Sequence, residues 1–305
     1  MRQRPMAGLP GDVLGTLLYF DLWAHPLTVV ELYLFLPSDS LSFGDFERRL
    51  RALAAQGRVG EECGFYFPPG GGAPQVRRRL ARQRHAEILW PRARKAAALI
   101  RRFPFVRGVF VSGDLSKNAT DDGSDVDFFI ITEPGRVWIA RTLLILFKKV
   151  FLLNSRKYFC LNSFIAADHL RLDEQNIFCA IEIATLVPLV NPPLLEAYRE
   201  ANAWLYGYLP NMRGRFFPPR SAPGPRSRIQ RALEGLLALL PCNRLDCFLQ
   251  GRTKRHWKHR YPGYDTATHE RVFRSTRGES RAHVGNFQER ILRLYNARLR
   301  DHGLV

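Results

Sequence analysis

Residues 112–132 read Ser-Gly-Asp-Leu-Ser-Lys-Asn-Ala-Thr-Asp-Asp-Gly-Ser-Asp-Val-Asp-Phe-Phe-Ile-Ile-Thr, and four of the seven residues 121–127 are aspartates. Only Val126 separates Asp125 from Asp127. In extended chain, alternate side chains share a face, so these two carboxylates stand side by side while Val126 turns inward. Carboxylates that close repel unless a cation lies between them. The hard cation that prefers oxygen ligands is Mg²⁺, with Mn²⁺ as its substitute. Mg²⁺ usually binds through one or two carboxylates plus substrate phosphates, so an Asp-x-Asp strand end is a natural holder for a nucleoside triphosphate. Gly113 lacks a side chain and lets backbone approach a phosphate, and the N–H groups of the turn after it can donate to phosphate oxygens. An EF-hand is excluded, because Gly123 is not at the sixth position of any suitable loop and the closing glutamate is missing.

The elements that must position these residues follow from the hydrophobic pattern. Residues 109–111 form a short apolar strand ending at Ser112 and Gly113, and 126–132 form a second. Residues 135–153 read as a buried helix, 158–166 as a third strand and 173–186 as a helix capped by Asp173. That order predicts a small mixed sheet with helices on one side. Upstream, Asp12 is placed to cap a helix carrying Leu14, Leu17, Leu18 and Phe20. Thr28-Val-Val-Glu31 is a capping box for a second helix. Ser42-Phe-Gly-Asp45 starts a third, whose buried side is Phe46, Leu50 and Leu53, and 57–67 read as a hairpin. Three short helices and a hairpin resemble a winged helix. In that family the third helix enters the DNA major groove, which would make Arg48, Arg49 and Arg51 the contact candidates; a solvated face is the alternative. Residues 68–74 read as a Pro-Gly linker. The helix expected over 77–107 has a kink at Pro91 and carries eleven Arg or Lys against the single acid Glu87. Its basic side either docks nucleic acid or phosphates, or neutralises the aspartates downstream. Beyond residue 191 the pattern is helical and aromatic, with a Pro-rich loop at 217–225. In the basic stretch 252–260, Trp257 either stacks on a base or packs a helix.

A strand, Ser-Gly, then Asp-x-Asp ten residues after Asp114 and four apolar residues resemble the signature of the polymerase-beta-like nucleotidyltransferase superfamily. The run 115–118 with 124–127 is similar to a minimal or antibiotic-type nucleotidyltransferase domain. The resemblance covers roughly the central third of the chain. It implies that Asp125 and Asp127 bind Mg²⁺, that Ser112 and Gly113 line the triphosphate, and that Ser116, Lys117 and Ser124 help to position it. The family usually has serine after that glycine, where this chain has Asp114. Many members carry a third acid on the neighbouring strand, where this chain has Asn162, which can ligate but cannot take a proton. Asp168 and Glu182 are the other candidates for that role. The expected organisation is α+β: a winged-helix-like domain (1–69), a linker and basic helix (70–104), a nucleotidyltransferase core with a small mixed β-sheet (105–190) and a C-terminal helical region (191–305). The expected function is transfer of a nucleoside monophosphate from a triphosphate to an acceptor that is a protein, a nucleic acid or a small molecule. The alternative keeps the fold with an impaired site, as a nucleic-acid-binding or nucleotide-sensing regulator. A third reading is an adaptor that binds a protein through its aromatic C-terminal helices.

A formal net charge of +18 and a pI near 10.3 point to polyanionic partners without choosing among nucleic acid, nucleotide, acidic protein and lipid. The five cysteines are odd in number and form no Cys-x-x-Cys pair, which fits reduced thiols in the cytoplasm. Residues 1–12 lack the apolar run of a signal peptide, and the greasiest window, 137–153, is interrupted by Arg141, Lys148 and Lys149, so no membrane span is expected. No Walker lysine motif, Gly-x-Ser-x-Gly or Gly-x-Gly-x-x-Gly stands where its mechanism requires it. His25 beside Pro26 reads as a turn residue.

Overall fold

The computed structural model describes residues 8–153, 157–214, 227–282 and 286–305. Pro10 in the first turn starts helix α1 (Leu9–Asp21), where its missing N–H costs nothing. Asp12 is therefore not the cap: it lies buried inside the first turn, and Gly8 holds the cap position. Strand β1 (Leu27–Thr28) leads into α2 (Val29–Leu34) through the expected reciprocal capping box of Thr28 and Glu31. Ser42 caps α3 (Phe43–Ala55), which buries Phe46, Leu50 and Leu53. The hairpin forms from β2 (Gly60–Glu62) and β3 (Phe65–Phe67), and β3 also pairs with β1, giving the order β1-β3-β2.

Helix α4 (Ala73–Ile100) begins inside the stretch expected as linker, because Pro74 suits a first helical turn, and it continues through Pro91 as one element. Then come β4 (Val106–Ser112), the four-residue α5 (Gly113–Ser116), β5 (Asp127–Thr132), α6 (Val137–Phe151), β6 (Cys160–Ala166), α7 (Ile177–Ala184) and β7 (Val187–Val190). Asn176 rather than Asp173 caps α7, accepting from the Cys179 N–H, while Asp173 is drawn to Arg274. Pro188 hid β7 from the sequence pattern, but on the edge of a sheet its missing donor is tolerated.

The remainder is not purely helical. After α8 (Pro192–Ala201), two 3₁₀ turns, α9 (Arg228–Ala238), α10 (Cys242–Arg260) and α11 (Thr266–Val272) come β8 (Phe273–Ser275) and β9 (Glu279–Ala282), followed by α12 (Phe287–Asp301). Strand β9 pairs with β6, completing a six-stranded mixed sheet of order β7-β4-β5-β6-β9-β8. Only β5 and β6 run parallel. Phe-Arg-Ser and Glu-Ser-Arg-Ala lack a strand's apolar alternation, so the open edge of β6 selects them rather than their own pattern. The Pro-rich loop expected at 217–225 lies outside the described residues.

The sheet separates two cores rather than carrying helices on one side. Val109, Val111, Val126, Phe128 and Ile130 face α4, α6 and Trp257 of α10. Trp257 packs edge-on to Trp138 at 6.2 Å and tilted on Phe273 at 5.3 Å, which is the packing role of its two expected ones. Phe110, Ile131 and Ile165 face the opposite side, in a core shared with α1, α2, α3, α7 and α12. Helix α6 is only half buried. Val137 to Ala140 and Leu144 point inward, whereas Leu146, Val150 and Phe151 are exposed, which corrects the expectation of a buried helix. Among the described residues no helix is long and apolar enough to cross a membrane.

Candidate active site

Three neighbouring strands present their ends together. Ser112 of β4 pairs with Asp127 of β5, and Asp127 pairs with Cys160 of β6. The chain then turns sharply at Gly113, whose φ of +65° falls in the left-handed region that glycine adopts freely. A Cβ there would come within 2.6 Å of Asp127 Oδ2, so any other residue would have to displace that carboxylate as well as adopt the left-handed backbone. One residue beyond Leu161 the register of β6 slips: Phe128 pairs with Leu161 and Phe129 with Ser163, leaving Asn162 in the irregularity. Such bulges re-aim a side chain, and Asn162 lines the cavity below.

That cavity has a volume of about 360 Å³ and lies on the sheet face turned toward α1, α7 and α12. Ser112, Gly113, Asp114, Lys117, Asp127, Asn162 and Glu182 form its polar end. Burial alternates from Ser124 to Ile130, so Val126 and Phe128 point into the core while Asp125, Asp127 and Phe129 share the other face. The burial pattern puts Asp125 on the same side as Asp127, but the strand proper begins at Asp127 and Asp125 is not among the cavity-lining residues.

The polar end is anionic in a cationic protein. Burial, with the charges of Asp125, Asp114 and Glu182, pushes the Asp127 carboxyl up to about 6 against a hydrogen bond from Cys160 that favours its charge. Burial and the Asp127 carboxylate push the Cys160 thiol up to about 12. Asp114 meets open space in the cavity, yet protein surrounds it closely enough that burial raises its pKa, with Lys117 and Ser124 opposing. Lys117 Nζ donates to Glu182 Oε1 at 2.8 Å and to the Gly113 carbonyl at 3.3 Å. Ser116 and Ser124 do not line the cavity. Ser116 Oγ is buried and donates to the Gly113 carbonyl at 2.8 Å, and Ser124 Oγ accepts from the Asp121 N–H at 3.0 Å and lies 3.3 Å from Asp114 Oδ2. Both shape the 113–124 loop. Of the three candidates for the third acidic position, Asn162 and Glu182 reach the cavity, while Asp168 is exposed and does not line it.

The cavity wall also uses residues that the sequence pattern did not assign to a site. Tyr19 and Phe20 of α1 and Trp23 of the turn after it line it, as do Phe178 and Cys179 of α7, Phe287 of α12 and the paired Glu279 and Arg281 of β9. Aromatics at 19 and 23 stand at helical spacing in the sequence, a signal that by itself indicates only core, although the helix ends at Asp21. His25 lines the cavity too, and is more than a turn residue: burial and the charge of Arg79 hold its pKa well below the ordinary value, so it is neutral. Arg82 reaches the same space and bonds the Trp23 carbonyl.

Whether this end fits a divalent cation is decided by its donors. Among the described residues no group of three His, Cys, Asp or Glu side chains forms a metal cage. The pair Asp125 and Asp127, with neighbouring charges already raising the Asp127 pKa, matches an ion that takes one or two carboxylates and draws its other ligands from substrate and water. Comparison with known protein families, curated proteins and solved structures finds no match for this chain.

Proposed function

We propose that the chain is a Mg²⁺-dependent nucleotidyltransferase of the polymerase-beta-like type, moving a nucleoside monophosphate from a triphosphate to an acceptor hydroxyl. The observation that carries this reading is the close approach of Gly113 to the Asp127 carboxylate at the acidic end of the cavity. Asp125 and Asp127 would hold the ion, which when bound neutralises charge on the triphosphate. Ser112 and Gly113 offer backbone close to the phosphates, and Lys117 contributes a cation held in place by Glu182. In the transfer, the acceptor oxygen bonds to the α-phosphorus as the bond from that phosphorus to the bridging oxygen of the β-phosphate breaks, and pyrophosphate leaves with the electron pair. The acceptor proton needs a base. Asn162 cannot take it, so Glu182 is assigned that role from α7.

Size and lining favour a small acceptor. A volume of about 360 Å³ lies in the range that encloses a drug-sized molecule, and the wall includes the aromatic side chains of Tyr19, Trp23, Phe178 and Phe287. The order of elements in residues 9–67, with sheet order β1-β3-β2, supports the winged-helix resemblance. The unit serves better as a wall of this cavity than as a DNA reader. Its α1 lines the cavity, and on α3 Arg48 is paired with Asp45 and Arg51 with Glu47.

The deciding experiment incubates the protein with labelled nucleoside triphosphates, Mg²⁺ or Mn²⁺ and a small-molecule cell extract, beside Asp125→Asn with Asp127→Asn. Label transfer that disappears in the double variant is the expected result; equal transfer by both proteins removes the proposal. One observation favours the sensing alternative, namely that Lys117 is already committed to Glu182. Metal-dependent thermal stabilisation by a triphosphate, without transfer to any acceptor, would select it.

A further inference from the structure

The surface opposite the cavity carries a second feature. Helix α9 turns Ile229, Leu233 and Leu236 outward on one side, and beyond its end Leu239 and Leu240 are 81% and 50% exposed. Leu236, at 64%, and Phe151 of α6, at 69%, are nearly as open. The two helices adjoin. Leu237 of α9 packs with Ile139 and Leu143 of α6 and with Cys242 and Leu245 of α10. Gln230 of α9 donates to the Phe103 carbonyl at 3.1 Å, and the Phe103 ring lies 5.3 Å from Phe147 of α6. Leu146, Val150 and Phe151 of the adjoining α6 are likewise exposed.

The charge on this face is of one sign. Helices α6, α9 and α10 together contain eleven Lys and Arg and two acids, although Lys148 is buried, Arg141 packs over Trp138 and Trp257, and Lys254 pairs with Glu270. Both acids turn inward: Glu234 pairs with Arg107, and Asp246 accepts from the Trp138 and Ile139 N–H groups. Lys149, Arg228, Arg231 and Arg244 are exposed on these three helices. Leucines that project from a helix among unopposed cations are the pattern of an amphipathic element lying in the interface of an anionic bilayer. A second copy of this chain fits poorly, because the same cations would face one another. Nucleic acid would use the arginines but gain nothing from exposed aliphatic side chains.

We propose that the face formed by α9 with the ends of α6 and α10 docks the protein peripherally on an anionic lipid surface, leucines inserted and cations at the headgroups. The test uses the full chain with vesicles of phosphatidylcholine alone and with about one third phosphatidylserine. Sedimentation with the anionic vesicles only is expected. Leu236→Ser with Leu239→Ser, both on the surface, is expected to lower partitioning about tenfold at an unchanged melting temperature. Arg228→Gln with Arg231→Gln should weaken it severalfold and flatten its dependence on salt. Absence of sedimentation, or sedimentation that the serine variant does not reduce, overturns the proposal. A dimer in analytical ultracentrifugation that the serine variant splits, without vesicle binding, overturns it in favour of a self-interface. Displacement from vesicles by duplex DNA whose binding the serine variant leaves intact overturns it in favour of nucleic acid.

Discussion

The Asp127 carboxyl is stabilised in its protonated form by the fold, which makes it a source of instability when ionised. The folded chain holds that proton to about pH 6, and the unfolded chain releases it near the ordinary value of 3.8, so folding takes up a proton between these values. Stability from this group is full below about pH 4 and lost as pH rises through about 6, by up to about 3 kcal/mol. In the metal-free protein Asp127→Asn should therefore unfold at higher denaturant concentration than wild type at pH 8, by about 2 kcal/mol, with the gap closing at pH 4.5. A variant that is less stable than wild type at pH 8 would contradict the assigned strain. The same residue illustrates what local pattern reveals. Period-two alternation placed Asp125 and Asp127 on one face, and Gly113 beside a strand end marked a close approach. Nothing local could say that Ser116 and Ser124 spend their hydroxyls inside their own loop, since their bonds to the Gly113 carbonyl and the Asp121 N–H exist only once the loop is closed.

At the scale of elements, α4 answers why so basic a helix precedes so acidic a loop. Arg79 is almost fully buried and donates to the carbonyls of Lys117 and Asn118 at 3.0 and 3.2 Å and to Glu31 Oε1 at 2.7 Å. Arg82 bonds Asp121, the His85 ring meets the Thr120 hydroxyl at 3.0 Å, and Trp90 Nε1 donates to Asn118 Oδ1 at 2.9 Å. One face of the helix thus clamps the loop that follows Gly113 and ties it to α1 and α2. Of the two roles weighed for these cations, part is neutralisation, while Arg77, Arg78, Arg84 and Arg94 stay exposed. Replacing Arg79 with Met leaves Glu31 and two carbonyls without their partner and should cost about 3 kcal/mol in denaturant unfolding. It also removes one of the charges that lower the His25 pKa, so the His25 ring should titrate at higher pH than in wild type by NMR. No upward movement of that titration would break the link between α4 and the cavity.

Across the whole molecule, one core joins segments distant in sequence. Leu17, Leu32, Leu50, Ile131, Ile181, Tyr198 and Tyr295 belong to a single cluster, so the N-terminal unit, sheet and last helix bury one another. Calorimetry should accordingly show one cooperative transition; two resolved transitions would mean that the N-terminal unit stands alone. Residues read in isolation yielded the α+β class, the Thr28–Glu31 capping box, the Ser42 cap and the strands either side of Gly113. Each of these depends on backbone periodicity or on hydrogen bonds spanning a few residues, so the information lies within a short window. The places of β8 and β9, the choice of Glu182 and Asn162 over Asp168 at the cavity, and the aromatic wall from α1 and α12 were not readable that way. They arise from which surfaces the chain can bury together and which sheet edge is left open. That is a sum over contacts far apart in sequence, and no local stretch carries it.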